Sequence, residues 1–144
     1  MNLRLVLRLL AAVAVLVSAA VHFYLWQDGF RDLDKVGPAF LLNAVGGAVI
    51  AVLLVTWRHW VPAFLALGFG ASTLGAFIIS TTVGLFGVHE RWMGWAVWTS
   101  AITEAAAIVL GGLLLLLDNP FGDNPLRSRR ELEDHPSVGR PHLD

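Results

Sequence analysis

Residues 94–117 read GWAVWTSAITEAAAIVLGGLLLLL, and this stretch decides the fold. At roughly 1.5 Å per residue, a helix of this length crosses the hydrocarbon core of a bilayer. Glu104 is its only ionisable residue. A carboxyl group near the middle of a membrane span costs several kcal/mol unless it is neutral, paired or faces a cavity. The surroundings of Glu104 therefore matter for both fold and function.

The helical neighbours of Glu104 indicate where its side chain points. The residues at −4, −3, +3 and +7 are small: Ser100, Ala101, Ala107 and Gly111. The opposite face is mostly bulky and suits lipid: Trp98, Ile102, Ala105, Val109 and Leu113. Because small residues let membrane helices approach closely, we expect Glu104 to face a protein interior.

The composition is that of a polytopic membrane protein. The 144 residues are 56% hydrophobic and only 15% charged, with a mean hydropathy of +0.67, whereas soluble domains carry about 25% charged residues. The absence of cysteine excludes disulfides, thiolate metal sites and a cysteine nucleophile. The sequence has no basic cluster interleaved with aromatic residues, the pattern that would indicate nucleic-acid binding. The lipid bilayer is the partner that this composition predicts.

Four apolar runs with short connections predict an all-α, up-down, left-handed four-helix transmembrane bundle over residues 1–117. The predicted helices are residues 5–26, 38–57, 62–87 and 94–117. The third run is rich in small residues four apart, which predicts packing against more than one neighbour. These pairs are Ala66/Gly70, Ala71/Gly75, Ser72/Ala76 and Ser80/Gly84. Residues 118–144 are polar and contain two Asp-Asn-Pro turn signals, so we predict a disordered tail.

The distribution of Lys and Arg predicts the orientation. Seven arginines lie on one side: Arg4, Arg8, Arg58, Arg127, Arg129, Arg130 and Arg140. The other side has three basic residues: Arg31, Lys35 and Arg91. The positive-inside rule then places both termini and the tail in the cytoplasm of a multi-pass plasma-membrane protein, with the first and third loops outside.

The first run also has features of a secretory signal peptide. Arg4 and Arg8 resemble its basic region, and residues 18–20, Ser-Ala-Ala, resemble a cleavage site. The apolar pattern nevertheless continues through Trp26 without a helix breaker. We therefore expect an uncleaved first helix, with removal of residues 1–20 as the alternative.

Polar residues inside the predicted helices define a candidate intramembrane site in the outer half of the bundle. Its members are His22, Asn43, Glu104, Ser18 and Ser100. A second group lies at the predicted outer mouth: His89, Glu90, Arg31 and Asp28. The bundle topology can bring these groups into one outward-facing funnel. The simplest alternative is structural, since Asn and His bridge membrane helices for about 1 kcal/mol or less.

Several functional classes remain open for this site. One is a ligand-binding or proton-handling protein, for which quinone, haem and metal are the candidate cofactors. His22, His89 and Glu104 are weak candidate metal ligands, because they are few and His89 and Glu90 lack the i, i+4 spacing of helical ligands. Another is an enzyme acting on a lipid-linked substrate at the outer face, which requires Glu90, Asp28 or Asp32 to converge with Glu104.

The leading hypothesis is a noncatalytic accessory or interaction subunit of a membrane complex. The chain has no phosphate-binding loop or HExxH motif, and no local signature of a Ser/His/Asp triad. The small-residue surface of the third run suits a membrane-protein partner or a homo-oligomer. No catalytic residue is predicted.

Residues 22–47 read HFYLWQDGFRDLDKVGPAFLLNAVGG. This segment resembles a group of small, uncharacterised four-span integral membrane proteins of actinobacterial type. They share H-x-x-L-W near the end of the first helix, a G-[FY]-R loop and G-P-x-F-L-L-N opening the second. Acidic residues similar to Glu90 and Glu104 also match. The resemblance implies four helices and no assigned activity; a looser one to DoxX-like proteins concerns architecture only.

Overall fold

The computed structural model describes residues 2–118, and the predicted tail lies outside the described residues. This part of the chain is all-helical and contains four long helices. They are α1 (Leu3–Gln27), α2 (Val36–Thr56), α3 (Trp60–Thr82) and α4 (Trp95–Asp118). Each is long and apolar enough to cross a membrane. The predicted all-α four-helix bundle is confirmed.

The helices form a four-cornered bundle in which sequence neighbours are also neighbours in space. Helix α1 packs extensively against α2 and α4, and α3 packs extensively against α4. The α2–α3 seam is thinner, and the α1–α3 diagonal has few contacts. We call the end with residues 28–35 and 83–94 the loop end, and the end with residues 57–59 the terminal end.

Glycines permit the closest helix approaches in this bundle. A Cβ added to Gly70 would lie 2.5 Å from the Glu104 carbonyl oxygen, and one added to Gly111 would lie 2.8 Å from the Ala63 carbonyl oxygen. On the α1–α2 side, a Cβ on Gly47 would meet Ala19 at 2.8 Å. Close packing of small residues replaces the hydrophobic driving force that is missing between helices in lipid. The close approach at Gly70 also sets the position of Glu104 along α3.

Helix α3 ends at Thr82, whereas the sequence pattern extends the third helix to residue 87. The backbone turns to positive φ at Gly84 (84°), Phe86 (51°) and Gly87 (84°), a conformation that a right-handed helix cannot contain. Leu85 and Val88 then exchange two backbone hydrogen bonds of 2.9 Å. The apolar residues after Thr82 therefore form a turn at the loop end.

At the terminal end, Arg8 connects three segments of the chain. It is 6% exposed. Its guanidinium donates to the Trp57 carbonyl at 3.0 Å and to the His59 carbonyl at 2.7 Å. It also forms a 3.0 Å ion pair with Asp118, the last residue of α4. Arg8 thus closes the α2–α3 turn and holds the ends of α1 and α4 together.

Candidate intramembrane ligand site

A cavity of about 150 Å³ lies between the four helices at the loop end. It is partly open, and its wall contains four phenylalanines: Phe30, Phe40, Phe77 and Phe86. Six polar residues of the helices also line it: His22, Asn43, Thr73, Ser80, Ser100 and Glu104. An apolar cavity of roughly 150 Å³ holds one benzene ring, whereas drug-sized ligands occupy about 300–1,000 Å³. The cavity suits a single ring or a group of that size.

A buried hydrogen-bonded group forms the inner end of this cavity. Glu104 is 2% exposed, His22 is 7% exposed and Ser18 is fully buried. The Ser18 hydroxyl donates to Glu104 Oε1 at 3.3 Å, which connects α1 to α4. His22 Nε2 lies 3.8 Å from the same Oε1 atom. Glu104 points into the bundle, as its small-residue neighbours predict.

The contacts of His22 determine which ring nitrogen carries a proton. His22 Nδ1 lies 2.8 Å from the Ser18 carbonyl oxygen, one turn earlier in α1. A carbonyl oxygen can only accept, so Nδ1–H is the donor. In the neutral ring Nε2 is then an acceptor. Its separation from Oε1 exceeds the roughly 2.7–2.9 Å of a charge-assisted hydrogen bond, so the two side chains do not form a tight ion pair.

Ser100 supplies a polar atom without a partner. Its hydroxyl oxygen is buried and, among the buried side-chain nitrogen and oxygen atoms of residues 2–118, is the one with no hydrogen-bond partner. Nearby hydroxyls donate hydrogen bonds to backbone carbonyls of their own helix: Thr103 to Thr99 and Thr73 to Phe69, both at 2.8 Å. An unsatisfied buried hydroxyl costs about 1–3 kcal/mol. A polar group of a bound molecule would remove that cost.

The loop of residues 83–94 folds over the loop end of the cavity. Ser80 anchors it, since its hydroxyl donates to the Val88 carbonyl at 2.9 Å and accepts from the Glu90 backbone N–H at 3.3 Å. Lys35 Nζ lies 5.3 Å from the centroid of the Phe86 ring, which joins this loop to residues 28–35. Two loops distant in sequence therefore define the mouth.

The structure places the predicted site residues in different surroundings. Of the intramembrane group, His22, Asn43, Ser100 and Glu104 line the cavity, and Ser18 lies beneath them. Of the outer-mouth group, Glu90 lines the cavity. His89 is exposed, with its ring beside Gly84. Asp28 and Arg31 are exposed, and Arg31 pairs with Asp32 at 3.5 Å.

Sequence reasoning missed Thr73, the role of Ser80 and the phenylalanine wall. The missing signal is a helical stripe on α3 that repeats every three or four residues. Its members are Ala66, Gly70, Thr73, Phe77 and Ser80, all buried or half-buried. Read as one face, this stripe predicts polar groups opposite Glu104. The sequence does not show that Phe30 and Phe86 return to the cavity, because loop conformation determines their positions.

The three candidate metal ligands do not converge. His22 and Glu104 are adjacent, but His89 does not line the cavity. Within residues 2–118, no group of three or more His, Cys, Asp and Glu side chains is arranged to hold a metal ion.

Comparison with known proteins gives no relative: no family model, curated protein or solved structure matches the chain. The resemblance to actinobacterial four-span proteins stays a prediction.

Proposed function

We propose that this protein binds a small, single-ring amphipathic molecule within the membrane, at the loop end of its helix bundle. The observation that carries the proposal is the cavity of about 150 Å³, in which an aromatic wall leads to a buried polar floor. Apolar pockets with a few convergent polar groups are the usual form of small-ligand sites. Positive-inside topology would place the mouth on the outer side, so that ligand enters from outside or from the outer leaflet.

The polar floor supports binding rather than simple helix bridging. A bridging role needs only direct contacts, and Ser18 already provides one between α1 and α4. His22 Nε2 and the Ser100 hydroxyl remain available beside Glu104. A bound polar group can engage all three. The apolar ring would then pack against the phenylalanines, which include the stacked pair Phe30 and Phe40, with centroids 4.6 Å apart.

Among the earlier candidate ligands, a quinone-like ring fits this volume better than haem or a metal. A porphyrin is several times larger than a single ring, and His22 is the only histidine of residues 2–118 that lines the cavity. Proton handling would use the same buried side chains, Glu104 and His22, and is therefore compatible with ligand binding. The ring-binding proposal makes the more specific prediction, because it requires the cavity to be empty space that a side chain can fill.

The test is to fill the cavity. Ala76 lines it, whereas Ala71 lies on the exposed face of the same helix. Binding of benzyl alcohol is measured by calorimetry in nanodiscs of neutral lipid, with empty nanodiscs as a blank. We expect saturable binding to the wild type and to Ala71→Phe, and loss of at least tenfold in affinity, about 1.4 kcal/mol, in Ala76→Phe. Equal binding by the two variants, or no saturable binding at all, would refute the proposal.

A second candidate function, an interaction subunit, is supported by one face of α3. Gly68, Ala71 and Ser72 are exposed, and a Cβ added to Gly68 or Gly75 would meet nothing within 4 Å. Small residues spaced four apart on a lipid-facing surface suit close packing of another helix. Ser72→Leu should weaken such an association, with Val49→Leu on the exposed face of α2 as control. Energy transfer between labelled copies in nanodiscs measures self-association, and equal transfer in both variants would argue against a self-association face.

A further inference from the structure

The proposed cavity has an unusual balance of charge. Glu104 lies at its floor and Glu90 at its mouth, and no Lys or Arg of residues 2–118 lines it. The adjacent histidine does not neutralise Glu104 through a tight contact, since Nε2 and Oε1 are 3.8 Å apart. The hydroxyl of Ser18 donates a hydrogen bond to the carboxyl group at 3.3 Å, and this donor carries no charge. A cation that entered the cavity would stabilise a carboxylate in this position.

The wall of the cavity suits the same kind of ligand. Four phenylalanine rings line it, and the faces of aromatic rings attract cations. One of these rings already does so: Lys35 Nζ lies 5.3 Å from the Phe86 centroid. His22 adds an acceptor nitrogen beside the carboxyl group, because its Nδ1–H is directed to the Ser18 carbonyl. The floor therefore presents acceptors, and the wall is aromatic.

From this geometry we infer that the ligand is a small organic cation, an ammonium group attached to one ring or to a short apolar chain. The Glu104 carboxylate is its counter-charge, His22 Nε2 accepts a hydrogen bond from it, and the phenylalanine wall packs against its apolar part. A primary ammonium group has three donors, enough for Glu104, His22 and the Ser100 oxygen. This inference rests on the proposed function, because it requires the cavity to bind a ring-sized molecule.

The test compares two probes of nearly equal size, benzylammonium and benzyl alcohol. Both are titrated into the full chain in nanodiscs of zwitterionic lipid, with empty nanodiscs as a blank for partitioning. We expect benzylammonium to bind at least tenfold more tightly to the wild type, since cation–π contacts and a desolvated counter-charge favour the cation. Glu104→Gln should abolish this preference. Asp32→Asn removes an acid with an 82% exposed side chain from the same end and should preserve it.

The outcomes separate the inference from the proposed function. If the alcohol binds as tightly as the cation, the ligand is not a cation and the inference fails, while the ring-binding function stands. If neither probe binds saturably, both fail. If Glu90→Gln removes the preference and Glu104→Gln does not, Glu104 is not the counter-charge. If Glu104→Gln does not fold, Phe40→Leu replaces it, and the inference fails unless this variant loses more affinity for the cation than for the alcohol.

Discussion

The most direct structural prediction concerns Gly70, because it determines how closely α3 approaches Glu104. Replacing Gly70 with Ala adds a Cβ that would lie 2.5 Å from the Glu104 carbonyl oxygen and 3.0 Å from Ile108 Cγ1. Since the closer atom is backbone, it cannot rotate away, and α3 or α4 must shift. The matched control is Gly75→Ala in the same helix, where the added Cβ meets nothing within 4 Å.

The expected difference in the free energy of unfolding between Gly70→Ala and Gly75→Ala follows from two opposing effects. Alanine is a better helix former than glycine by about 0.8–1.0 kcal/mol, a gain that both variants share. Overpacking costs about 1–3 kcal/mol, and only Gly70→Ala incurs it. We therefore expect Gly70→Ala to be less stable than Gly75→Ala by about 1–3 kcal/mol. The displaced Glu104 should also weaken binding of benzyl alcohol in Gly70→Ala alone.

The assay is reversible unfolding of the detergent-solubilised protein by increasing mole fractions of dodecyl sulfate, followed by far-ultraviolet circular dichroism. The free energy of unfolding is compared between the two alanine variants, so that detergent effects cancel. If Gly70→Ala and Gly75→Ala agree within about 0.5 kcal/mol, the α3–α4 contact at Glu104 is not as close as described and the reasoning is refuted.

Two further predictions concern the ends of the bundle. Arg8→Met should lower the free energy of unfolding by about 3 kcal/mol, because it leaves the largely buried Asp118 without its closest partner. Arg4 is exposed, so Arg4→Met should lower the free energy of unfolding by less than about 1 kcal/mol. The same dodecyl sulfate titration measures both, and equal losses would contradict the role given to Arg8. Ser80→Ala should speed amide hydrogen exchange at Glu90 severalfold, because the Ser80 hydroxyl accepts from that N–H. Exchange measured by NMR that is unchanged at Glu90 would show that Ser80 does not anchor the loop.

Much of the fold could be predicted from the sequence because membrane helices follow hydrophobicity closely. Residues 94–117 correspond within a residue at each end to α4 (Trp95–Asp118). Their periodicity also predicts the two faces correctly: Glu104 is buried, and Ile102 and Val109 are exposed. A backbone that must satisfy its hydrogen bonds internally leaves few alternatives to a helix, and small residues mark the packed side.

The site was less predictable, because it depends on loops and on single contacts. The Ser18–Glu104 contact follows from the stagger of α1 against α4, which periodicity does not determine. The role of Phe86 depends on positive φ at Gly84 and Gly87, which apolar composition conceals. Arg8 reads as a topological signal, yet it is a buried structural residue. Hydropathy predicts which residues lie in the membrane-spanning helices, but it does not predict which of their side chains contact each other.

One measurement tests the central claim most directly: whether a ring-sized molecule in the cavity contacts Glu104. The carboxyl carbon of Glu104 is observed by ¹³C NMR in nanodiscs, with its signal assigned by comparison with Glu104→Gln, while benzyl alcohol is added. The account predicts that the Glu104 signal shifts saturably, with the midpoint found by calorimetry, and that Ala76→Phe prevents the shift. A Glu104 signal that stays unchanged while benzyl alcohol binds, or that shifts equally in Ala76→Phe, would contradict it.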